Sequence, residues 1–193
     1  MHSNKGILRI VGGKFRSRQL RVPARPGLRP TPDRVRETLF NWLGQDLAGL
    51  ACLDLFAGSG ALGFEAASRG AARVVLVEKD RAVLAELERS RAALGASQVE
   101  IAGGDAHAFL ARAGNAGFDV VFLDPPFRQN ALPAILAELP PRLQPGARVY
   151  VESDAPVAAQ PPWTELKRAQ AGQVSYQLLR WDGHDQSGIP GNV

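Results

Sequence analysis

The sequence predicts an α/β fold, with seven strands in a mostly parallel sheet, an antiparallel C-terminal hairpin, and a basic N-terminal hairpin and helix ahead of it. Three observations carry that reading. From residue 51 onward short apolar runs alternate with segments of helical periodicity, the rhythm of strands joined by right-handed crossovers and covered on both faces. "WTELKRAQ" and "GQVSYQLLRW" flank Ala171 and Gly172 with no room for a helix between them, so they pair antiparallel at a sheet edge. Before residue 51 neither rhythm holds, and the charge balance is different.

Taken in order, "ILRIV" is rich in β-formers, Gly12 and Gly13 signal a turn, and "KFRSRQLRV" places Phe15, Leu20 and Val22 among cations. "PARPGLRPTP" interrupts regular structure. Thr31 is the expected N-cap of a helix with Pro32 in its first turn, Val35, Leu39, Trp42 and Leu43 on its apolar face and Gly44 at its end. On that reading Arg34 and Arg36 lie elsewhere on its circumference, available to a partner. "ACLDLF" (51–56) is the first strand of the sheet, "ALGFEAASRG" a helix ending at Gly70, and "RVVLVE" (73–78) the second strand. "DRAVLAELERSRAALG" has Val83, Leu84, Leu87 and Leu94 at helical intervals, and "QVEIAG" and "FDVVFLD" supply strands three and four. "ALPAILAEL" is a helix and "ARVYVES" strand five. The division expected is residues 1–48 as a basic extension, 49–182 as the main domain and 183–193 as a tail.

A chain of 193 residues with 45% hydrophobic and 22% charged residues can bury one full core. No run is long and apolar enough to span a bilayer and the N-terminus lacks a secretory signal, which predicts a soluble cytoplasmic protein without a membrane partner. The single cysteine, Cys52, lies in an apolar run and is expected to pack as a small hydrophobe. His2, His107 and His184 have no ligand spacing, so no metal is expected. Charge is unevenly distributed: residues 1–40 carry a net +8, and the remainder a net −4, within a total of +4. That asymmetry points to a polyanion contact through Arg9, Lys14, Arg16, Arg18, Arg29, Arg34 and Arg36, against the alternative of a solvated basic face.

Ligands of parallel sheets bind at the carboxyl ends of the strands, and three such ends are notable. In "DLFAGSGALG" Gly58, Gly60 and Gly63 spell G-x-G-x-x-G between a strand and a helix, which suits a nucleotide-type ligand on a helix N-terminus. Glu78, with Lys79 beside it, ends the second strand where an acid can accept both hydroxyls of a ribose. Both features fit NAD as well as S-adenosylmethionine (SAM). In "FDVVFLDPPFRQN" an apolar strand halts on Asp124 and stiffens through Pro125 and Pro126, which fix their own φ and lack N–H groups. A nicotinamide enzyme has no evident use for that turn.

"DLFAGSG" with a strand-end acid and a later "DPPF" resembles the Rossmann-like class I SAM-dependent methyltransferases that act on exocyclic amines of bases. More closely, "RIVGGKFRSRQL", "PGLRPTPDRVRETLFNWL", "CLDLFAGSGALGFEAASRGA", "VFLDPPF", "YVES" and "GQVSYQLLRW" resemble the RsmD family, from about Arg9 to Trp181. The resemblance implies methylation of the N2 amine of a guanine in 16S ribosomal RNA, on an assembled or partly assembled small (30S) subunit; nothing in the sequence demands more than a monomer. It implies SAM contacts at Asp54, Phe56, Ala57, Gly58, Ser59 and Gly60 for the methionine part, at Glu78 and Lys79 for the ribose, and at Asp105 and Ala106 for adenine. For Asp105, capping of the helix that begins "AHAFLARA" is a serious rival.

Asp124, Pro125, Pro126 and Phe127 would form the amine end of the site, with Arg128 toward the RNA. The lone pair of an aryl amine is delocalised, so acceptors aimed at its two hydrogens favour the tetrahedral geometry that attack requires. The Asp124 carboxylate and a Pro125 carbonyl held by fixed φ can provide them. Phe127 would stack on the extruded base, worth about 1–3 kcal/mol against a flipping cost of a few kcal/mol, or else serve as a core aromatic. Three alternatives stay open: an adenine-N6 methyltransferase, since the same turn serves any aryl amine; an NAD-dependent oxidoreductase; and a ribosome-assembly factor.

Overall fold

The computed structural model describes residues 6–23, 31–112, 114, 117–126 and 131–183. Phe127, Arg128 and Arg29 lie outside the described residues, as does the tail from 184 onward.

A seven-stranded sheet in the order β5-β4-β3-β6-β7-β9-β8 forms the centre. Its strands are β3 (Ala51–Asp54), β4 (Arg73–Glu78), β5 (Val99–Gly103), β6 (Phe118–Leu123), β7 (Leu143–Ser153), β8 (Trp163–Ala171) and β9 (Val174–Trp181). The first five are parallel, and β9 and β8 add antiparallel to β7. The helices that cross between parallel strands are α2 (Ala61–Ser68), α3 (Arg81–Leu94), α4 (Ala106–Arg112) and α5 (Leu132–Glu138). The near-continuous apolar strands follow from burial on both faces: Val74, Val75, Leu76 and Val77 are buried, as are Val120, Val121, Phe122 and Leu123. Alternation divides them between two cores. Phe122, Tyr150 and Leu76 face the side that holds α2 and α3, and Leu123, Val151 and Val77 face the side that holds α4 and α5.

The chain order reverses between β3 and β6, so the carboxyl ends of these neighbours diverge to opposite crossovers and leave a crevice. Asp80 caps α3 by accepting from Ala82 and Val83, and Gly95 ends it in the left-handed conformation, so local signals set both boundaries.

The N-terminal segment is β1 (Ile7–Arg9) paired antiparallel with β2 (Gln19–Arg21), followed by α1 (Asp33–Leu43). It is part of the main core: Leu8, Ile10, Phe15 and Leu20 pack with Leu39, Phe40 and Phe64. Its docking is polar as well. The Glu65 carboxylate accepts from Val11 N and Gly12 N, both at 2.8 Å, and Ser68 Oγ accepts from Phe15 N at 2.8 Å. Gly13 has φ +72 and so little clearance that a Cβ would overlap the Ser68 carbonyl, which is the reason glycine stands there.

Two expectations require correction. Thr31 is not the N-cap of α1. Pro32 takes that position at φ −56 and ψ 147, its carbonyl accepts from Val35 and Arg36, and the Thr31 hydroxyl is directed to Glu152. Arg36 is not available to a partner. It is fully buried, with Nη1 3.2 Å from Glu65 and Nη2 donating to Asp33 at 2.6 Å and to the Arg9 carbonyl at 2.7 Å. Helical periodicity marked its side of α1 as polar; the acid that draws the guanidinium inward lies on another helix.

Candidate active site

β3 ends on Asp54, and the chain turns through Leu55, Phe56, Ala57, Gly58, Ser59 and Gly60 into α2. Gly58 and Gly60 have φ +49 and +77, the left-handed conformations that bend the loop back over the strand ends. Gly63 is needed for packing, because a Cβ there would overlap Leu76 on β4. The loop is fastened to the next strand by Ala57 N donating to the Val77 carbonyl and Gly58 N donating to Glu78, each at 3.0 Å. Glu78 also accepts from Lys79 N and Asp80 N at 2.8 Å. It is thus fixed under the glycine loop at the end of β4, with its orientation set by three backbone donors.

Asp105 follows β5, and its Oδ1 accepts from His107 N at 2.9 Å. The capping reading therefore describes one oxygen of this exposed carboxylate. Ala106 opens α4 and is buried. Gly104 N donates to the Glu78 carbonyl, which holds the Asp105 turn against the end of β4. Asp54, Glu78 and Asp105 therefore stand at the ends of three adjacent strands.

The crevice has a second acidic side, where the sequence reading picked out Asp124 but not the acid beside it. Asp54 pairs in register with Phe122, and Phe122 with Tyr150; one step further, Leu123 pairs with Val151. The next positions are Asp124 and Glu152, neighbours on the face that carries Phe122 and Tyr150. Glu152 is buried, and its Oε1 accepts from Tyr150 OH at 2.8 Å and Thr31 Oγ1 at 3.3 Å. Asp124 is half-buried and has no side-chain donor among the described residues.

Burial dominates the electrostatics of this group. It pushes the Asp54 carboxyl up to about 7 despite backbone donors from Gly63 and Phe56, with Glu78 and Glu152 adding to the rise. Asp124 is raised well above the usual carboxylate range by burial, then by the charges of Glu152 and Asp54. Glu152 is also raised by burial, but the Tyr150 and Thr31 hydroxyls pull it back. Among the described residues none of the three carboxyls makes an ion pair. Buried carboxylates without a cation are costly, so the crevice suits a ligand that brings positive charge. SAM, with a sulfonium and an ammonium, meets that description.

Pro125 is buried and Pro126 exposed at the mouth. Both line a cavity of about 790 Å³ that continues between α5 and the β7–β8 connection, past Leu132, Leu136 and Trp163. Cys52 is buried in the sheet and its thiol is pushed up to about 12, mainly by burial, which fits a packing residue. No group of three potential metal ligands occurs among the described residues, and no described helix is long and apolar enough to cross a membrane.

Of the cations anticipated at the RNA surface, Arg9, Lys14, Arg16, Arg18 and Arg34 are exposed. Arg9 lies 3.6 Å from Asp33, and Arg18 donates to the Ala93 carbonyl at the end of α3. Arg16 lines a polar cleft of about 490 Å³ with Glu37, Asn41 and Arg69. The N-terminal segment thus keeps an exposed cationic surface while Arg36 serves the core. What the sequence reading missed was Glu152 with its two hydroxyl donors, and the Arg36–Glu65–Arg69 brace. The available signal for the former was an acid in "YVES" at the end of an apolar strand, the same pattern that marked Asp54 and Glu78.

A family model described as "Conserved hypothetical protein 95" matches residues 8–180. The chain is 45% identical to the ribosomal RNA small subunit methyltransferase D of Escherichia coli K12, over 96% of each chain. It is also 45% identical to the protein of that name from Haemophilus influenzae, over 91% of this chain and 95% of the other. Among solved structures, a putative methyltransferase, yhhF, from Escherichia coli superposes with a TM-score of 0.85 at 44% identity, covering 93% of this chain and 100% of that one. An RNA methyltransferase from Salinibacter ruber, in complex with S-adenosyl-L-homocysteine, shares the fold at a TM-score of 0.61 and 21% identity, covering 84% of this chain and all of its own. A Rossmann-like methyltransferase fold, a glycine loop and a DPP turn at neighbouring strand ends, and a family match over residues 8–180 agree: the chain belongs to the family of Conserved hypothetical protein 95, the RsmD family that its motifs resemble.

Proposed function

We propose that this protein transfers the methyl group of SAM to the exocyclic N2 amine of a guanine in small-subunit ribosomal RNA. The observation that carries the reading is the placement of Asp124-Pro125-Pro126 at the end of β6, across the crevice from the glycine loop that follows β3, in a chain whose relatives are named ribosomal RNA small subunit methyltransferases. When bound, SAM supplies an electrophilic methyl on a sulfonium. The remaining work belongs to this chain. Asp54 and the backbone from Phe56 to Gly60 hold the charged methionine part, Glu78 beside Lys79 takes the ribose, and Asp105 with the Ala106 N–H takes the adenine edge.

Asp124 and the Pro125 carbonyl accept from the two hydrogens of the target amine and favour its tetrahedral form. The fixed φ of the two prolines keeps that carbonyl still. The methylated ammonium is acidic, so its proton can leave after transfer and no strong base is required beforehand. Alignment of nitrogen with methyl is an effect that reaches about 7–11 kcal/mol in favourable systems. The cavity beside Pro125 and Pro126 has room for an extruded nucleotide. Residues 1–48 act as the RNA-contacting extension through Arg9, Lys14, Arg16, Arg18 and Arg34, on a partly or fully assembled subunit.

The direct test is Asp124→Ala. It should still bind SAM and lose methyl transfer by about 100-fold or more, the usual effect of removing an aimed electrostatic partner. Undiminished turnover would remove Asp124 from the mechanism.

A further inference from the structure

Glu152 has no part in the reading above, yet it is buried beside the reacting end of the site. Its Oε1 is held from two directions. Tyr150 OH reaches it from its own strand at 2.8 Å, and Thr31 Oγ1 reaches it at 3.3 Å from the segment that leads into α1. The β6–β7 register carries it alongside Asp124, which has no side-chain donor of its own among the described residues.

We propose that Glu152 is a positioning residue for methyl transfer: anchored by Thr31 and Tyr150, it keeps a proton on Asp124 until a cationic cofactor enters the crevice. Asp124 and Glu152 are paired acids in a confined space. Two carboxylates sharing a buried site do not both ionise readily, and the one with more donors keeps the charge. Among the described residues Glu152 has two hydroxyl donors and Asp124 has no side-chain donor. The direction of their shifts agrees: burial raises both carboxyls, the charge of Glu152 adds to the rise at Asp124, and the Tyr150 and Thr31 hydroxyls pull Glu152 back.

The other groups facing the pair do not reverse this. Asp54 on β3 adds negative charge, with Glu78 beyond it, and the Tyr150 phenol is itself raised and stays a donor, with Tyr176 on β9 contributing to that rise. When positive charge arrives, the Asp124 proton leaves to solvent and the carboxylate becomes the acceptor that the target amine requires. The acceptor is thereby created by cofactor binding, and an empty site presents the amine with a protonated acid. The inference rests on the SAM-methyltransferase reading, but its test concerns proton release and is independent of methyl transfer.

The experiment is calorimetric titration of the full-length protein with SAM in buffers of different ionisation enthalpy, at about pH 8, where a carboxyl titrating near 7 such as Asp54 is mostly ionised. The slope of binding enthalpy against buffer enthalpy counts protons released, and the contribution of SAM's own amine is common to every variant. Wild type should release up to about one proton more than Asp124→Asn and measurably more than Glu152→Gln. S-adenosylhomocysteine, whose sulfur is neutral, should release less than SAM. An unchanged slope in Asp124→Asn would overturn the inference even if Glu152→Gln fails to fold, and so would an unchanged slope in a folded Glu152→Gln. An Asp124→Asn protein that loses the proton release but keeps turnover would leave this inference standing and defeat the role of Asp124 in methyl transfer.

Discussion

Arg36 and Asp124 are charged residues with opposite relations to the core. Arg36 is inside because each of its three nitrogens finds an acceptor, in four hydrogen bonds to Asp33, Glu65 and the carbonyls of Thr31 and Arg9. Removing Arg36 leaves Glu65 with Arg69 as its one remaining cation and takes a donor from the Thr31 and Arg9 carbonyls; losing one partner of a buried ion pair typically costs about 3–5 kcal/mol. Arg36→Ala should therefore lose stability of that order in urea unfolding, and loss of RNA affinity should follow only from unfolding. Arg16→Ala with Arg18→Ala should do the reverse: near-normal stability, weaker RNA binding and a shallower dependence of affinity on salt, because each phosphate contact contributes to the slope. An unchanged slope would place those charges on a solvated face. Sequence periodicity treated Arg16, Arg18 and Arg36 alike, since burial of Arg36 depends on Glu65, 29 residues away on α2. The glycine loop was legible because its requirements are local: a strand, a left-handed turn and a helix within ten residues.

At the scale of elements, the N-terminal hairpin and α2 form one docked unit. The Val11 and Gly12 amides meet Glu65, Phe15 N meets Ser68, and Gly13 allows the backbones to approach. Gly13→Ala introduces a Cβ both at a positive φ and against a carbonyl, so it should loosen residues 7–21 selectively. Hydrogen exchange should report faster exchange there and unchanged protection in β3, β4 and β6; uniform loss across the sheet would contradict a separable docking contact. The alternating strands and helices were readable in order and nearly in extent, from "RVVLVE" as β4 to "GQVSYQLLRW" as β9. The start of α1 was less so. A threonine ahead of a proline has the local signature of a cap, and only the fold brings Glu152 within reach of its hydroxyl. Glu152 was hidden for the same reason: its meaning depends on β6 lying beside β7.

For the whole molecule, the crevice trades stability for ligand charge. Asp54, Asp124 and Glu152 all hold protons more tightly in the folded chain than as ordinary carboxyls. Between the usual carboxylate range and about 7 for Asp54, with Asp124 raised in the same direction, the folded state therefore binds more protons than the unfolded one. Stability from these groups must fall as pH rises through that window. Thermal unfolding without ligand should show a melting temperature that declines from about pH 5 to about pH 8, and Asp54→Asn should flatten part of the decline. A ligand-free melting temperature unaffected by Asp54→Asn at either pH would mean that Asp54 is ionised in the folded state without penalty.

The central claim is that this crevice moves a methyl from SAM to a guanine amine in ribosomal RNA, and the most direct measurement is the identity of the methylated nucleoside. Small-subunit ribosomal RNA, free and in assembled subunits, is incubated with the protein and methyl-labelled SAM, then digested to nucleosides. The account expects label in N2-methylguanosine, absent with Asp124→Ala. Label in N6-methyladenosine would keep the DPP chemistry and overturn the substrate, whereas no transfer to either form of the RNA would contradict the account itself.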